Sequence, residues 1–266
     1  DAAFIDALPN LEIIASFGVG YDAVDAKHAA SRGIVVTNTP DVLSDEVADT
    51  TIGLLLNTLR ELPKAEEYLR EGRWAKEGNY PLTKLTLRGR TAGIYGLGRI
   101  GLAIARRLEG FGVDILYHSR NKRDDVSYTY ASSLEELANG CDTLIVIVPG
   151  GAATEKTVNA RVLSALGPSG VLINVGRGST VDCDALVAAL KSGTIAAAGL
   201  DVFPDEPNVP EALLPLPNVS LLPHVASASV HTRNAMADLV ADNLVSWFTN
   251  GRALTPVQES LGLARE

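Results

Sequence analysis

Residues 91–101 read TAGIYGLGRIG, an apolar run that ends in a glycine-rich turn and leads directly into an amphipathic stretch. Each glycine has a distinct use. Gly96 lets the chain turn sharply out of a strand, Gly98 lets backbone approach a pyrophosphate, and Gly101 lets the following helix pack closely on the strand. Ile100, Ala103, Ile104, Leu108 and Phe111 recur at helical spacing, with Arg106, Arg107 and Glu109 on the other side. A strand, a tight turn and the start of a helix together make a dinucleotide site, with phosphate at the positive end of the helix dipole. Gly96, Gly98, Arg99, Ile100 and Gly101 are the expected cofactor contacts.

The second strand, 113–118, should end in an acid if the dinucleotide carries a free ribose 2′-hydroxyl. Instead it runs into Ser119, Arg120, Asn121, Lys122 and Arg123. A hydroxyl and three cations suit a 2′-phosphate, with Arg120 binding it through paired hydrogen bonds, Ser119 adding one more, and Lys122 or Arg123 adding charge. NADPH is therefore expected, with NADH weaker. A solvated basic loop is the competing reading.

The chain has 266 residues, is 46% hydrophobic and carries a net charge of −9, enough to bury one or two cores and unsuited to nonspecific nucleic-acid binding. No run approaches the ~18 apolar residues of a membrane helix, and DAAFIDALPN lacks the features of a signal peptide, so a cytoplasmic protein is expected. Cys141 and Cys183 share no motif, and neither a disulfide nor a metal site is indicated.

Beyond the glycine turn, apolar runs alternate with helical patterns. Strands are expected at 143–148, 171–175 and 195–202, and helices at 159–166 and 182–192. Ser133 and Glu136 form a capping box, and Gly167 and Gly193 stand at helix ends. Alternation of this kind means an α/β fold with a doubly wound parallel sheet covered on both faces. Residues 45–73 read as one long helix carrying Ile52, Leu54, Leu55, Leu56 and Leu59, linking domains or subunits.

Five stretches occur in order: TNTPDVLSDEVADTTIGLLL, GLGRIG, GVLINVGRGSTVD, GLDVFPDEP and LLPHVASAS. Together they resemble the D-2-hydroxyacid dehydrogenases over nearly the whole chain. The Ser119–Arg120 pair, YTY at 128–130 and LLPHVASAS are most similar to the NADPH-dependent hydroxypyruvate, glyoxylate and hydroxyphenylpyruvate reductases. The resemblance implies two Rossmann-like domains: a flavodoxin-like substrate domain from both chain ends (1–43 plus 228–266) and a dinucleotide-binding domain (44–227), with the active site in the cleft and a homodimeric assembly.

The same resemblance assigns roles by position. Arg177 in VGRG matches the arginine that binds the substrate carboxylate and polarises its keto oxygen. Glu206 matches the carboxylate that hydrogen-bonds the catalytic histidine, and His224 matches that acid and base. Reducing a 2-oxo acid needs a cation, a proton donor and a hydride, and each protein role has one candidate. Val19 and Gly20 match the loop whose amides hold the substrate carboxylate. Asp201, the backbone of Val175 and the side chain of Thr154 match cofactor contacts. Trp74 could reach the partner's substrate pocket, although an aromatic beside a long helix also reads as core. His28, His118 and His231 read as helix or surface histidines.

The run PGGAATEKT at 149–157 departs from the bulkier residues usual after that strand, and Gly150 and Gly151 should reshape cofactor contacts. Relatives usually begin with a further βαβ-like segment, so an N-terminal segment is expected to be missing. Two other functions fit the resemblance: a cofactor-sensing, corepressor-like binding protein, or another dehydrogenase of the family such as phosphoglycerate dehydrogenase. Formate dehydrogenase fits less well, since a glutamine is typical where Glu206 stands.

Overall fold

The apolar runs form strands and the 3.6-residue patterns form helices, as their periods require. The computed structural model describes residues 1–265. They form two compact units, Asp1–Glu46 with Ser227–Glu266, and Val47–Ala226; the sequence reading put the boundaries at 43/44 and 227/228.

The first unit carries β1 (Ile13–Ala15) and β2 (Val35–Thr37), paired in parallel. Around them lie the helices Ala26–Ser31 and Val230–Asn250, and Trp247 is buried against Ile13 and Val35. Among the described residues, the flavodoxin-like layer expected here is represented by these two strands alone.

In the second unit a seven-stranded sheet is built from β3 (Thr91–Tyr95), β4 (Asp114–His118), β5 (Thr129–Tyr130), β6 (Thr143–Val146), β7 (Val171–Asn174), β8 (Ala197–Leu200) and β9 (Val219–Leu221). The spatial order is β5-β4-β3-β6-β7-β8-β9, and every pairing is parallel. Leu144, Val146 and Leu172 pack into one core, while Ala92, Ile94, Ile145 and Ile173 pack into another. Alternate residues of the same strands thus bury both faces, as a doubly wound sheet requires. The chain runs from β3 outward to β4 and β5, then returns to β6 on the other side of β3. That reversal opens a crevice at the carboxyl ends of β3 and β6, where such sheets bind ligands.

Two expectations need correction. The long helix over 45–73 is three: Ser44–Arg60, Leu62–Arg70 and Arg73–Glu77. Glu61 between the first two is left-handed, at φ 52°. Pro63 follows it, and a proline has no N–H to give and clashes with the carbonyl four residues back, so the first helix cannot continue through it. Phe111, expected on the buried face after the glycine turn, lies beyond the helix Arg99–Glu109 and is 49% exposed. At the opposite end of the sheet the buried Arg90 donates to Thr143 Oγ1 at 2.7 Å and to the carbonyls of Asp142 and Ser169, pinning the starts of β3, β6 and β7.

Candidate active site

The glycine turn leaves the end of β3. A Cβ on Gly101 would stand 2.1 Å from the carbonyl oxygen of Gly96, so only glycine lets this helix sit against the turn. Gly96 has φ +106°, and a Cβ there would meet Val148 and the backbone of Ile147. Gly98 faces open space and caps the helix Arg99–Glu109 without a side-chain hydrogen bond. The first amides of an eleven-residue helix are therefore not satisfied by a capping side chain, as a phosphate ligand needs. Arg99 is exposed at the first helical position and Ile100 is half-buried. The residues present fit a dinucleotide pyrophosphate.

Beside this turn lies the loop after β4. Ser119 Oγ accepts from the Leu97 amide at 2.9 Å, which leaves its own hydroxyl proton to donate outward. Arg123 Nη1 donates to the Leu97 carbonyl at 3.1 Å, and its Nε and Nη2 donate to the Asp125 carboxylate at 2.9 and 2.5 Å. Arg123 is thus occupied in holding the glycine turn, where the sequence reading had it adding charge for a phosphate. Arg120 and Lys122 are exposed, with no ion-pair partner among the described residues. Arg120 remains the candidate for the 2′-phosphate.

Arg177 sits three residues after β7. Buried Asn174 at the strand end donates to the Arg177 carbonyl at 3.0 Å and accepts from the Gly176 amide at 3.1 Å, while Thr180 Oγ1 donates to the same carbonyl at 2.6 Å. Gly176 lies against the Val148 carbonyl, and a Cβ on Gly178 would stand 1.9 Å from the carbonyl carbon of Phe203. The arginine loop therefore packs backbone to backbone against the loop that carries Glu206. One Glu206 oxygen accepts from the Phe203 amide at 2.9 Å, and the other meets His224 Nδ1 at 2.5 Å.

His224 follows β9 in a left-handed conformation, φ 53°. That conformation costs a non-glycine residue roughly 1–2 kcal/mol. Asp201 offsets it: its carbonyl accepts from the His224 amide at 2.8 Å, and its two carboxylate oxygens accept from the amides of Val225 and Ala226 at 2.8 and 3.0 Å. Asp201 is fully buried, and burial pushes its carboxyl above the ordinary carboxylate range, opposed by those two amide bonds. Both oxygens thus serve the histidine loop. The sequence reading had Asp201 as a cofactor contact and missed this role, which depends on residues 24 and 25 positions away.

The other expected residues fall as follows. Val175 is buried one residue past β7, and its amide donates to the Val146 carbonyl. Thr154 donates its hydroxyl to the carbonyls of Pro149 and Gly151, closing its own loop. In the first unit, the carbonyls of Gly18 and Val19 accept from the Thr39 amide and Asn38 Nδ2, both at 2.8 Å. The amides of Val19 and Gly20 have no acceptor among the described residues. Trp74 is 58% exposed and so is no core residue. His118 is on no helix: half-buried, it ends β4, bonds the Ala131 carbonyl and stacks against Tyr95 and Tyr130. Asn174, the one polar residue in VLIN, is the sequence signal that the Arg177 loop is braced from below. Among the described residues there is no cluster of three or more potential metal ligands and no helix long and apolar enough to cross a membrane.

Comparison with known proteins gives the following. Residues 52–226 match the profile described as "D-isomer specific 2-hydroxyacid dehydrogenase, NAD binding domain". The chain is 52% identical to the hydroxyphenylpyruvate reductase of Plectranthus scutellarioides over 257 residues, covering 97% of this chain and 82% of the relative. It is 50% identical to the glyoxylate/hydroxypyruvate reductase A of Arabidopsis thaliana, with the same coverage. Among solved structures, the NADPH-dependent glyoxylate/hydroxypyruvate reductase of Sinorhizobium meliloti in complex with NADP and malonate superposes with a TM-score of 0.98 at 69% identity, covering 100% of this chain and 83% of that one.

Proposed function

The chain belongs to the D-isomer-specific 2-hydroxyacid dehydrogenase family, and we propose that it reduces a small 2-oxo acid, glyoxylate or hydroxypyruvate, to the D-2-hydroxy acid with NADPH preferred over NADH. The observation that carries this reading is the His224–Glu206 pair, at 2.5 Å, in which Glu206 stands on the loop packed against the one that bears Arg177. Of the relatives reported above, those of Arabidopsis thaliana and Sinorhizobium meliloti are glyoxylate/hydroxypyruvate reductases, the latter NADPH-dependent, and that of Plectranthus scutellarioides is a hydroxyphenylpyruvate reductase.

Glu206 engages Nδ1, so Nε2 is the nitrogen of His224 that faces substrate. In the cationic ring, Nε2 carries the proton that the forming alkoxide takes up, and Glu206 stabilises the charge until the transfer. Arg177 draws the carboxylate and polarises the keto oxygen. The amides of Val19 and Gly20 are further donors for the carboxylate. A nicotinamide, when bound, would supply the hydride to the keto carbon, and the proton from His224 would complete the hydroxyl. Arg120 and Ser119 would hold the 2′-phosphate and the turn at 96–101 the pyrophosphate; Thr154, Val175 and Asp201 are the further positions that resemblance gives to the cofactor, Asp201 acting through the histidine loop that its two carboxylate oxygens hold. In the reverse direction neutral His224 is the base.

The unit Val47–Ala226 is the cofactor domain and the other unit the substrate domain. Leu62, Leu69 and Trp74, 47%, 54% and 58% exposed, suit the face of a homodimer. Free Cys141 and Cys183 suit a reducing compartment such as the cytoplasm. The test is the initial rate with hydroxypyruvate at matched subsaturating NADPH and NADH. Turnover with clear NADPH preference is expected. Cofactor binding without turnover of either acid would overturn the reading in favour of a sensor.

A further inference from the structure

Behind the Val19–Gly20 loop lies a buried polar network with no catalytic group in it. Asn243, fully buried on the helix Val230–Asn250, uses all four of its hydrogen-bonding positions. Its Nδ2 donates to the Leu239 carbonyl at 2.8 Å and to Thr255 Oγ1 at 2.9 Å, and its Oδ1 accepts from the amides of Leu254 and Thr255, both at 2.9 Å. Thr255 Oγ1 in turn donates to the Asn38 carbonyl at 2.6 Å, and the Thr255 carbonyl accepts from the Asn38 amide at 3.3 Å. Asn38 Nδ2 then donates to the Val19 carbonyl at 2.8 Å.

A trans peptide points its N–H opposite to its C=O. Tying the Val19 carbonyl to Asn38 therefore turns the Gly20 amide away from Asn38, and the bond from Thr39 to the Gly18 carbonyl turns the Val19 amide likewise. Both carbonyls are anchored and both amides are left without an acceptor among the described residues, the arrangement of a backbone anion cradle. A buried network of this kind is rigid only while every member is satisfied.

We propose that Asn38 is a positioning residue that sets the direction of the Val19 and Gly20 amides, with Thr255 and Asn243 fixing Asn38. The ligand is a carboxylate, and this inference rests on the proposed reading that the loop receives the 2-oxo acid. It assigns affinity for the acid to residues that never touch it.

The experiment uses the full chain loaded with NADP and measures the dissociation constant of malonate, a carboxylate probe that needs no turnover. KM for hydroxypyruvate and for NADPH are measured in parallel. Asn38→Ala is expected to weaken malonate and raise KM for hydroxypyruvate by about tenfold, with KM for NADPH unchanged; tenfold corresponds to one hydrogen bond of ordinary strength. Thr255→Val should shift the same two constants in the same direction, and Thr255→Ser, which keeps the hydroxyl, should restore them. If Asn38→Ala does not fold, the Thr255 pair carries the test. Unchanged malonate affinity, or equal weakening of malonate and NADPH in a folded variant, overturns the inference. A wild type that binds malonate but reduces neither acid overturns the functional reading instead, and the malonate constants still decide the role of Asn38.

Discussion

Gly178→Ala tests whether the catalytic set is held by backbone packing. The new Cβ would stand 1.9 Å from the carbonyl carbon and 2.2 Å from the carbonyl oxygen of Phe203, and 2.4 Å from the nitrogen of Pro204. All three are backbone atoms, so no side chain can rotate out of the way. Acceptable contact requires the loops to part by at least about 1 Å. Arg177 is adjacent to Gly178, and Glu206 takes its bond from the Phe203 amide, so the displacement falls between the cation and the carboxylate–histidine pair. A misplacement of about 1 Å in a reacting set costs on the order of 100-fold in rate, or about 2.7 kcal/mol of barrier. Overpacking adds about 1–3 kcal/mol of destabilisation. The assay is kcat for hydroxypyruvate at saturating NADPH, with NADPH affinity from fluorescence and a thermal melt. We expect kcat to fall about 100-fold, Tm to drop, and NADPH affinity to stay within a few-fold. Gly193→Ala is the control, because nothing lies within 4 Å of its Cβ and its φ of +74° introduces strain alone. It should lower Tm and leave kcat unchanged. A Gly178→Ala enzyme with wild-type kcat and Tm would refute the reasoning.

His224→Gln should keep NADPH affinity and lose roughly 10²–10⁴ in kcat; a titration of cofactor fluorescence beside a steady-state assay reads both, and unimpaired turnover removes the proton-donor assignment. Arg120→Ala should raise KM for NADPH about tenfold or more and spare NADH, whereas Arg123→Ala, by releasing the Leu97 carbonyl, should weaken both cofactors; the reverse pattern would mean that Arg123 carries the phosphate. Asp201→Ala strips the acceptors from the Val225 and Ala226 amides and should cost about 2–4 kcal/mol in urea unfolding, with kcat falling as the His224 loop relaxes. Burial pushes the Cys141 thiol up to about 12, so at pH 8 only about one part in 10⁴ is thiolate; Cys141 should resist iodoacetamide until the protein unfolds, and labelling of the native protein at the rate of a free thiol would contradict that burial.

Much of the cofactor half was legible because its signals are local. The three glycines of 96–101, the helix that follows and the missing acid at 119 lie within a few residues of what they act on, so composition and spacing are enough. Arg177, Glu206 and His224 were legible in a different way, by resemblance at separate positions. Less legible were the pieces that join these positions. Nothing in GLD marks Asp201 as the brace of a loop that begins at His224, and nothing in SRNKR distinguishes Arg120 from Arg123 until the glycine turn folds back beside them. The break at Glu61 was within reach, since Pro63 is visible and the apolar residues that supported a single helix, Ile52 to Leu59, all precede it.

By itself, then, the sequence marked the period of most elements, the parallel doubly wound class and the glycine turn, because those follow from near-neighbour chemistry along the chain, while resemblance alone marked Arg177, Glu206 and His224 as the candidate reacting side chains. Tertiary structure alone decided the left-handed turn at His224, the backbone contact beneath Gly178, the fate of each cation after β4 and the chain of bonds from Asn243 to Val19. These depend on contacts between residues tens to more than two hundred positions apart, whose satisfied donors and excluded volumes exist only once the strands have been set side by side.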